Sequence, residues 1–186
     1  MKITETPLPG LLIIEPRVFD DSRGYFFESY QEERYKESGI NASFIQDNES
    51  KSVRGVVRGL HYQLAPWSQA KLVRVIQGRV YDVAVDLRKG SPTFGKWFGL
   101  EIDGKSKKQL FVPRGFAHGF SVLSETAIFS YKCDNGYNKE AERAININDP
   151  ELGIDWMLGD TQPVVSEKDL AAPMLANAEM NFIFEK

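Results

Sequence analysis

Two side chains in this chain of 186 residues ordinarily titrate near neutral pH, His61 and His118. His61 lies in Val57-Arg58-Gly59-Leu60-His61-Tyr62-Gln63, with Arg58 three positions before it and Lys71 ten positions after it. Arginine offers a planar fork for carboxylate or phosphate, and lysine offers a point charge on a flexible stem. Nearby cations favour the neutral form of an imidazole, which is the form that accepts a proton. The cluster suits removal of a proton from an anionic ligand. A base of this kind also needs a carboxylate to hold its tautomer and to stabilise the imidazolium it becomes. The local sequence supplies none, so that group must come from far along the chain. The competing reading is a histidine that only satisfies hydrogen bonds inside a sheet.

His118, in Arg114-Gly115-Phe116-Ala117-His118-Gly119-Phe120, carries the same two readings. Gly119 beside it permits close approach of a ligand or another backbone. Tyr131, in Ile128-Phe129-Ser130-Tyr131-Lys132, is a core residue or, if its hydroxyl faces a cavity, a general acid. The two histidines stand 57 positions apart with no His-x-His pair, and Cys133 is the single cysteine. A metal site in a small barrel needs two or three histidines, typically with a carboxylate; a two-histidine site stays as the lesser alternative, and acid–base chemistry with no metal and no organic cofactor is expected. No P-loop, Gly-x-Gly-x-x-Gly or Gly-x-Ser-x-Gly motif is present, so phosphate must be met by side chains such as Arg23 and Arg58.

Short β-type runs divided by Gly and Pro turns must position these groups. In Arg79 to Leu87 the residues Tyr81, Val83, Val85 and Leu87 fall on one face and Asp82 and Asp86 on the other. Further strands are expected at Leu11–Ile14, Lys71–Ile76, Thr93–Glu101, Gln109–Val112, Phe116–Leu123 and Thr126–Cys133. Strands at such short intervals indicate an antiparallel sandwich or barrel. Ser29 and Glu32 have capping-box spacing, so a short polar surface helix is expected from there to Gly39. Gln46-Asp47-Asn48-Glu49-Ser50 reads as a turn, although such amides also suit a pyrimidine edge or phosphate. A second short helix is expected from Ser166, whose spacing to Asp169 is that of a cap. In an ideal strand Arg58 and His61 would point to opposite faces. They can share a cavity only if the strand is bulged or strongly twisted at Gly59.

Net charge is −3, so no bulk basic field attracts nucleic acid or an anionic membrane. The longest apolar runs, such as Leu11 to Ile14, are too short to span a bilayer, and the first residues lack the apolar core of a signal peptide. A lone cysteine suits a reducing compartment, and a cytoplasmic protein of one domain over residues 1–186 is expected.

These stretches together resemble the dTDP-4-dehydrorhamnose 3,5-epimerase family. The resemblance is carried by Arg23-Gly24-Tyr25-Phe26-Phe27-Glu28-Ser29, Gln46-Asp47-Asn48, Arg58 to Gln63 and Ala70-Lys71-Leu72-Val73-Arg74. It continues through Asp82 to Arg88, Gly90 to Gly95, Pro113 to Phe120, Tyr131-Lys132, Asn148-Asp149-Pro150, Gly153 to Trp156 and Ser166 to Asp169. It implies an all-β, metal-free cupin-type jelly roll with a few short peripheral helices. It also implies a homodimer that exchanges N-terminal strands. The implied substrate is a dTDP-linked 4-keto-6-deoxy sugar, inverted at carbons 3 and 5 through enolates on the way to dTDP-L-rhamnose. By the same resemblance His61 is the base, Asp169 its distant carboxylate, Tyr131 the acid and Lys71 the cation at the keto oxygen. Arg23, Glu28, Gln46, Asn48, Arg58, His118, Glu142 and Lys168 match substrate-binding positions. The family often carries an aromatic pair in the loop after Tyr131-Lys132, where this chain has Gly136-Tyr137. The alternatives are a related cupin acting as a 3-epimerase, 5-epimerase or ketoisomerase, and a sugar-nucleotide binding module without catalysis.

Overall fold

The computed structural model describes residues 1–185. Thirteen strands are named among them. They are β1 (Lys2–Glu5), β2 (Leu12–Glu15), β3 (Val18–Asp21), β4 (Gly24–Phe27), β5 (Gln46–Val53), β6 (Val57–Gln63) and β7 (Lys71–Gln77). The rest are β8 (Arg79–Asp86), β9 (Trp97–Asp103), β10 (Gln109–Val112), β11 (Phe116–Val122), β12 (Thr126–Cys133) and β13 (Glu142–Ala144). A six-stranded sheet runs β1-β2-β10-β7-β12-β5, and a five-stranded sheet runs β13-β6-β11-β8-β9. Every ladder between named strands is antiparallel. The result is a jelly-roll sandwich with short helices α1 (Glu32–Glu37) and α2 (Glu167–Leu170) at its periphery.

Alternation along the strands sends one set of side chains between the sheets. Val73, Leu110 and Phe129 from the larger sheet meet Val80, Ala84 and Phe120 from the smaller. Phe120 and Phe129 stack across this gap with centroids 4.2 Å apart, a contact worth about 0.5–1.5 kcal/mol beyond area burial. Both sheets are also covered on the outside. Val83, Val85 and Leu87 pack under Leu152, Leu175 and Phe182 of the C-terminal segment. Tyr35 and Ile40 cover Ile14, Leu72 and Phe111. Asp82 and Asp86, on the face of β8 that Val80 and Ala84 share and that looks towards the larger sheet, are fully buried as well. Asp86 is satisfied by a bidentate Arg88 and by the hydroxyls of Ser91 and Thr93.

The structure differs from the sequence reading in three places. Residues 46–50 are not a turn but the first part of β5, paired along its length with β12. Its polar side chains alternate between solvent and the space between the sheets, so no apolar stripe marks it. Helix α1 is capped by the Gln31 side chain, which accepts from the Arg34 N–H at 2.6 Å, and not by Ser29. The Ser29 carbonyl instead accepts from Gln109 at 2.8 Å, and Tyr35 gives the helix a buried face. Strand β9 begins at Trp97 and not at Thr93, because Ser91 to Lys96 are tied into tight turns against Asp86. Within this chain β1 pairs with β2 and β2 with β10. The part left apart from both large sheets is the β3–β4 hairpin, with Phe19, Tyr25 and Phe26 exposed.

Candidate active site

The site opens between the two sheets. Two adjoining cavities of about 320 and 330 Å³ share Asn48, His61, Lys71 and Tyr131 in their walls. Gln46, Gln63, Tyr137 and Glu142 add to the first, and Arg58, His118, Phe120 and Phe129 to the second.

Strand β6 reaches the site through an irregularity. His61 pairs with His118 and Arg58 with Phe120, so β6 carries one residue more than β11 over this span. Gly59 sits there at φ +130°, and the Gly59–Leu60 peptide is cis. A Cβ on Gly59 would lie 2.6 Å from the Gly119 Cα, so glycine is required both for the dihedral and for the close approach. The bulge is the one anticipated at Gly59, and it brings Arg58 and His61 to the same cavity. Arg58 is steadied there by donating from Nε to the Ser52 hydroxyl at 3.0 Å.

Asp169 reaches His61 across 108 positions of sequence, with Oδ1 2.7 Å from Nε2. The cap and the partner roles of this residue are compatible. The Ser166 hydroxyl caps α2 by accepting from the Asp169 backbone N–H at 3.1 Å, which leaves the carboxylate free to face His61. Burial works against charge on Asp169, but hydrogen bonds from His61, the Gly59 N–H and Ser166 outweigh it and hold the carboxyl below its usual range. An ionised acceptor fixes the proton on the imidazole nitrogen that faces it. The other ring nitrogen then carries the lone pair a base requires.

Lys71 and Tyr131 come from the facing sheet. Burial lowers the Lys71 ammonium from the ordinary lysine value, and the carboxylates of Asp82 and Glu142 only partly oppose this. Its Nζ stands 5.9 Å from the centre of the Tyr131 ring. Burial raises the Tyr131 phenol, as does Cys133, so the hydroxyl keeps its proton well past neutrality. The Cys133 thiol, directly across from Lys71 in the β12–β7 ladder, is pushed up to about 11 by burial and stays a neutral core group. A base on one sheet thus faces a protonated acid and a cation on the other.

The remaining polar groups line the rim. Gln46 donates to Asn48 at 3.1 Å, and Asn48 donates to the Cys133 sulfur at 3.7 Å. Glu142 accepts from Lys168 at 2.6 Å and from the Tyr137 hydroxyl at 3.1 Å. Burial pushes the Glu142 carboxyl up, but Lys168 and Tyr137 more than compensate and it remains ionised. His118 is buried with Nε2 2.9 and 3.0 Å from the two oxygens of Asp82. Asp82 escaped the sequence reading; its signal was a carboxylate on a strand face that also carries Val80 and Ala84. Gln63 and Gln69 were likewise passed over. Arg23 and Glu28 are not brought to the cavities within this chain. Arg23 is highly exposed and bonds Asp21 in the β3–β4 hairpin, while Glu28 pairs with Arg34. Among the described residues no group of three or more His, Cys, Asp or Glu side chains converges as a metal site would require.

The profile of the family described as dTDP-4-dehydrorhamnose 3,5-epimerase matches residues 5–177. The chain belongs to this family. A dTDP-4-dehydrorhamnose 3,5-epimerase of Pseudomonas aeruginosa is 53% identical over 180 residues, spanning 96% of this chain and 98% of that protein. Among solved structures, the dTDP-4-dehydrorhamnose 3,5-epimerase of Elizabethkingia anophelis superposes with a TM-score of 0.91 at 56% identity, covering 95% of this chain and 97% of the other. The dTDP-6-deoxy-D-glucose-3,5-epimerase of Legionella pneumophila in complex with dTDP-4-keto-L-rhamnose also gives 0.91, at 51% identity, covering 95% and 93%. The fold is therefore the cupin-type jelly roll that the sequence suggested.

Proposed function

We propose that this protein inverts carbons 3 and 5 of dTDP-4-dehydro-6-deoxy-D-glucose to give dTDP-4-dehydro-L-rhamnose. Both carbons adjoin the 4-keto group, so loss of either proton gives an enolate whose charge gathers on the keto oxygen. In this reading His61 removes the proton and Asp169 stabilises the imidazolium. Lys71 meets the developing charge, where a fixed cation is worth most. Tyr131 returns a proton from the opposite sheet, which inverts the centre. Gln46, Asn48, Arg58, His118, Glu142 and Lys168 hold the nucleotide sugar. The observation that carries the reading is the pairing of a carboxylate-held imidazole on one sheet with a buried phenol on the other, around one cavity. A binding module has no use for that arrangement.

The active form in this reading is a homodimer. Arg23 and Glu28 lie on or beside an exposed hairpin whose aromatic side chains await cover, and in a dimer they reach the partner's cavity. One domain acting in the cytoplasm fits the same reading; no helix among the described residues is long and apolar enough to cross a membrane. A second reading, inversion at one carbon only, has one observation in its favour. Gly136 stands where the family often has an aromatic, and the space around it is open. Incubation with the 4-keto sugar nucleotide and NMR identification of the product tests both. The L-rhamno product is expected, a single-centre epimer would establish the second reading, and unchanged substrate would overturn the first.

A further inference from the structure

The opening motif ends at Gln63, a residue the mechanism above does not use. Its side chain is almost wholly buried, and its amide is fully engaged. Nε2 donates to the Trp67 carbonyl at 2.7 Å and to the Gly136 carbonyl at 3.1 Å. Oε1 accepts from the Asn138 N–H at 2.7 Å. The two bonds to Gly136 and Asn138 bracket Tyr137 from both sides. Tyr137 is exposed on its outer surface and forms one wall of the first cavity. Its own ties cross the mouth of that cavity: its N–H donates to Gln46 on β5 at 3.2 Å, and its hydroxyl donates to Glu142 on β13 at 3.1 Å. A second amide, Gln69, donates to the Asn135 carbonyl at 2.8 Å and anchors the same loop one residue earlier.

We propose that Gln63 is a positioning residue that holds the Tyr137 wall in its ligand-ready place before substrate arrives. The amide is the one side-chain type that can do this. It needs two donors for two carbonyls and one acceptor for an N–H, in one plane and at one depth. Because Gly136 brings no side chain to pack, the loop depends on these polar ties for its order. A loop held in place this way spares the ligand the cost of ordering it. A loop competent only a tenth of the time raises the apparent dissociation constant about tenfold. The inference rests on the epimerase reading, in that Tyr137 is taken to wall the sugar nucleotide.

The test is a double-mutant cycle of Gln63→Glu and Tyr137→Ala, assayed with dTDP-4-dehydro-6-deoxy-D-glucose, with amide hydrogen exchange of residues 134–138 measured alongside. Glutamate keeps the acceptor for Asn138 but sets carboxylate oxygen against two carbonyls. Gln63→Met, of similar length and without polar atoms, serves if the glutamate variant does not fold. The expected result is KM raised about tenfold with kcat within about threefold. Repulsion from the two carbonyls displaces the loop and exchange protection across residues 134–138 falls, and in the Tyr137→Ala background the Gln63 change has almost no further effect on KM. Additive effects, or unaltered exchange protection in the loop, overturn the proposal. If the wild type fails to turn over the sugar nucleotide, the epimerase reading falls, and hydrogen exchange alone decides whether Gln63 holds the loop.

Discussion

Replacing Asp169 with asparagine removes one charge and leaves the shape of the site nearly intact, so its effect can be worked from the geometry. In the resting protein the carboxylate lies 2.7 Å from His61 Nε2, and the Gly59 N–H and Ser166 also favour its charge. An amide offers one acceptor oxygen, so at least one donor must face its NH2 group. Leaving a buried donor unpaired costs about 1–3 kcal/mol of stability. Catalysis suffers through a different interaction. When His61 takes the proton, an imidazolium forms 2.7 Å from what was a carboxylate oxygen. At an effective dielectric constant of about 20, unit charges about 4 Å apart interact by about 4 kcal/mol. About a third of the His61 side chain is exposed, and solvent screening brings this to roughly 2–3 kcal/mol. At 1.36 kcal/mol per tenfold, the first proton abstraction slows by roughly 30- to 150-fold. Deuterium uptake at carbons 3 and 5, followed by proton NMR in heavy water, reads this rate directly. Uptake within about threefold of wild type, in a variant that is folded, would refute the role given to the Asp169 charge.

Four further outcomes follow from the same geometry. Lys71→Met should abolish turnover yet raise the melting temperature. Burial lowers the Lys71 pKa in the fold, so its charge opposes folding at neutral pH, and that penalty vanishes as pH rises through the folded value towards the ordinary 10.5. Each 1 kcal/mol relieved would correspond to about 2–4 °C at this size, and scanning calorimetry at pH 7 and above pH 10.5 should show the gain only at the lower pH. In wild type the alkaline loss of activity should begin below the lysine range for the same reason. Tyr131→Phe should keep the first deuterium exchange and lose inversion by about 100-fold or more, the usual contribution of a general acid; retained inversion would assign the acid elsewhere. Arg23→Ala and His61→Ala chains, each inactive alone, should regain about a quarter of wild-type activity when refolded together. Half the dimers are then mixed, each with one intact site. No recovery would place Arg23 outside the partner's cavity.

The parts of this molecule that could be read from its sequence are those governed by short-range rules. Strands β7, β8, β10, β11 and β12 announce themselves as short β-type runs that turn residues end, and β8 also alternates with a period of two. The bulge at Gly59 could be demanded in advance, since an odd spacing between Arg58 and His61 allows one cavity only if the strand is irregular. Strand β5 could not be recognised. Its run from Gln46 to Lys51 carries no apolar residue, because one of its faces lines the site and not the core. The burial of Asp82 was equally hidden. Periodicity separates the two faces of β8, but whether a face meets water depends on the opposite sheet, which is built from other parts of the chain. The contact between Asp169 and His61 depends on where the C-terminal segment crosses the smaller sheet, and only the family resemblance pointed to it. Gln63 was in view from the start, but its three partners lie on loops whose course no local pattern sets.

The central claim is that a single imidazole, His61, begins the reaction at both carbons. Wild-type protein and His61→Ala, incubated in heavy water with dTDP-4-dehydro-6-deoxy-D-glucose, test it directly. Wild type should take up solvent deuterium at carbon 3 and carbon 5 and form the L-rhamno product, whereas the folded His61→Ala protein should exchange neither proton. Double exchange retained in that variant would contradict the account.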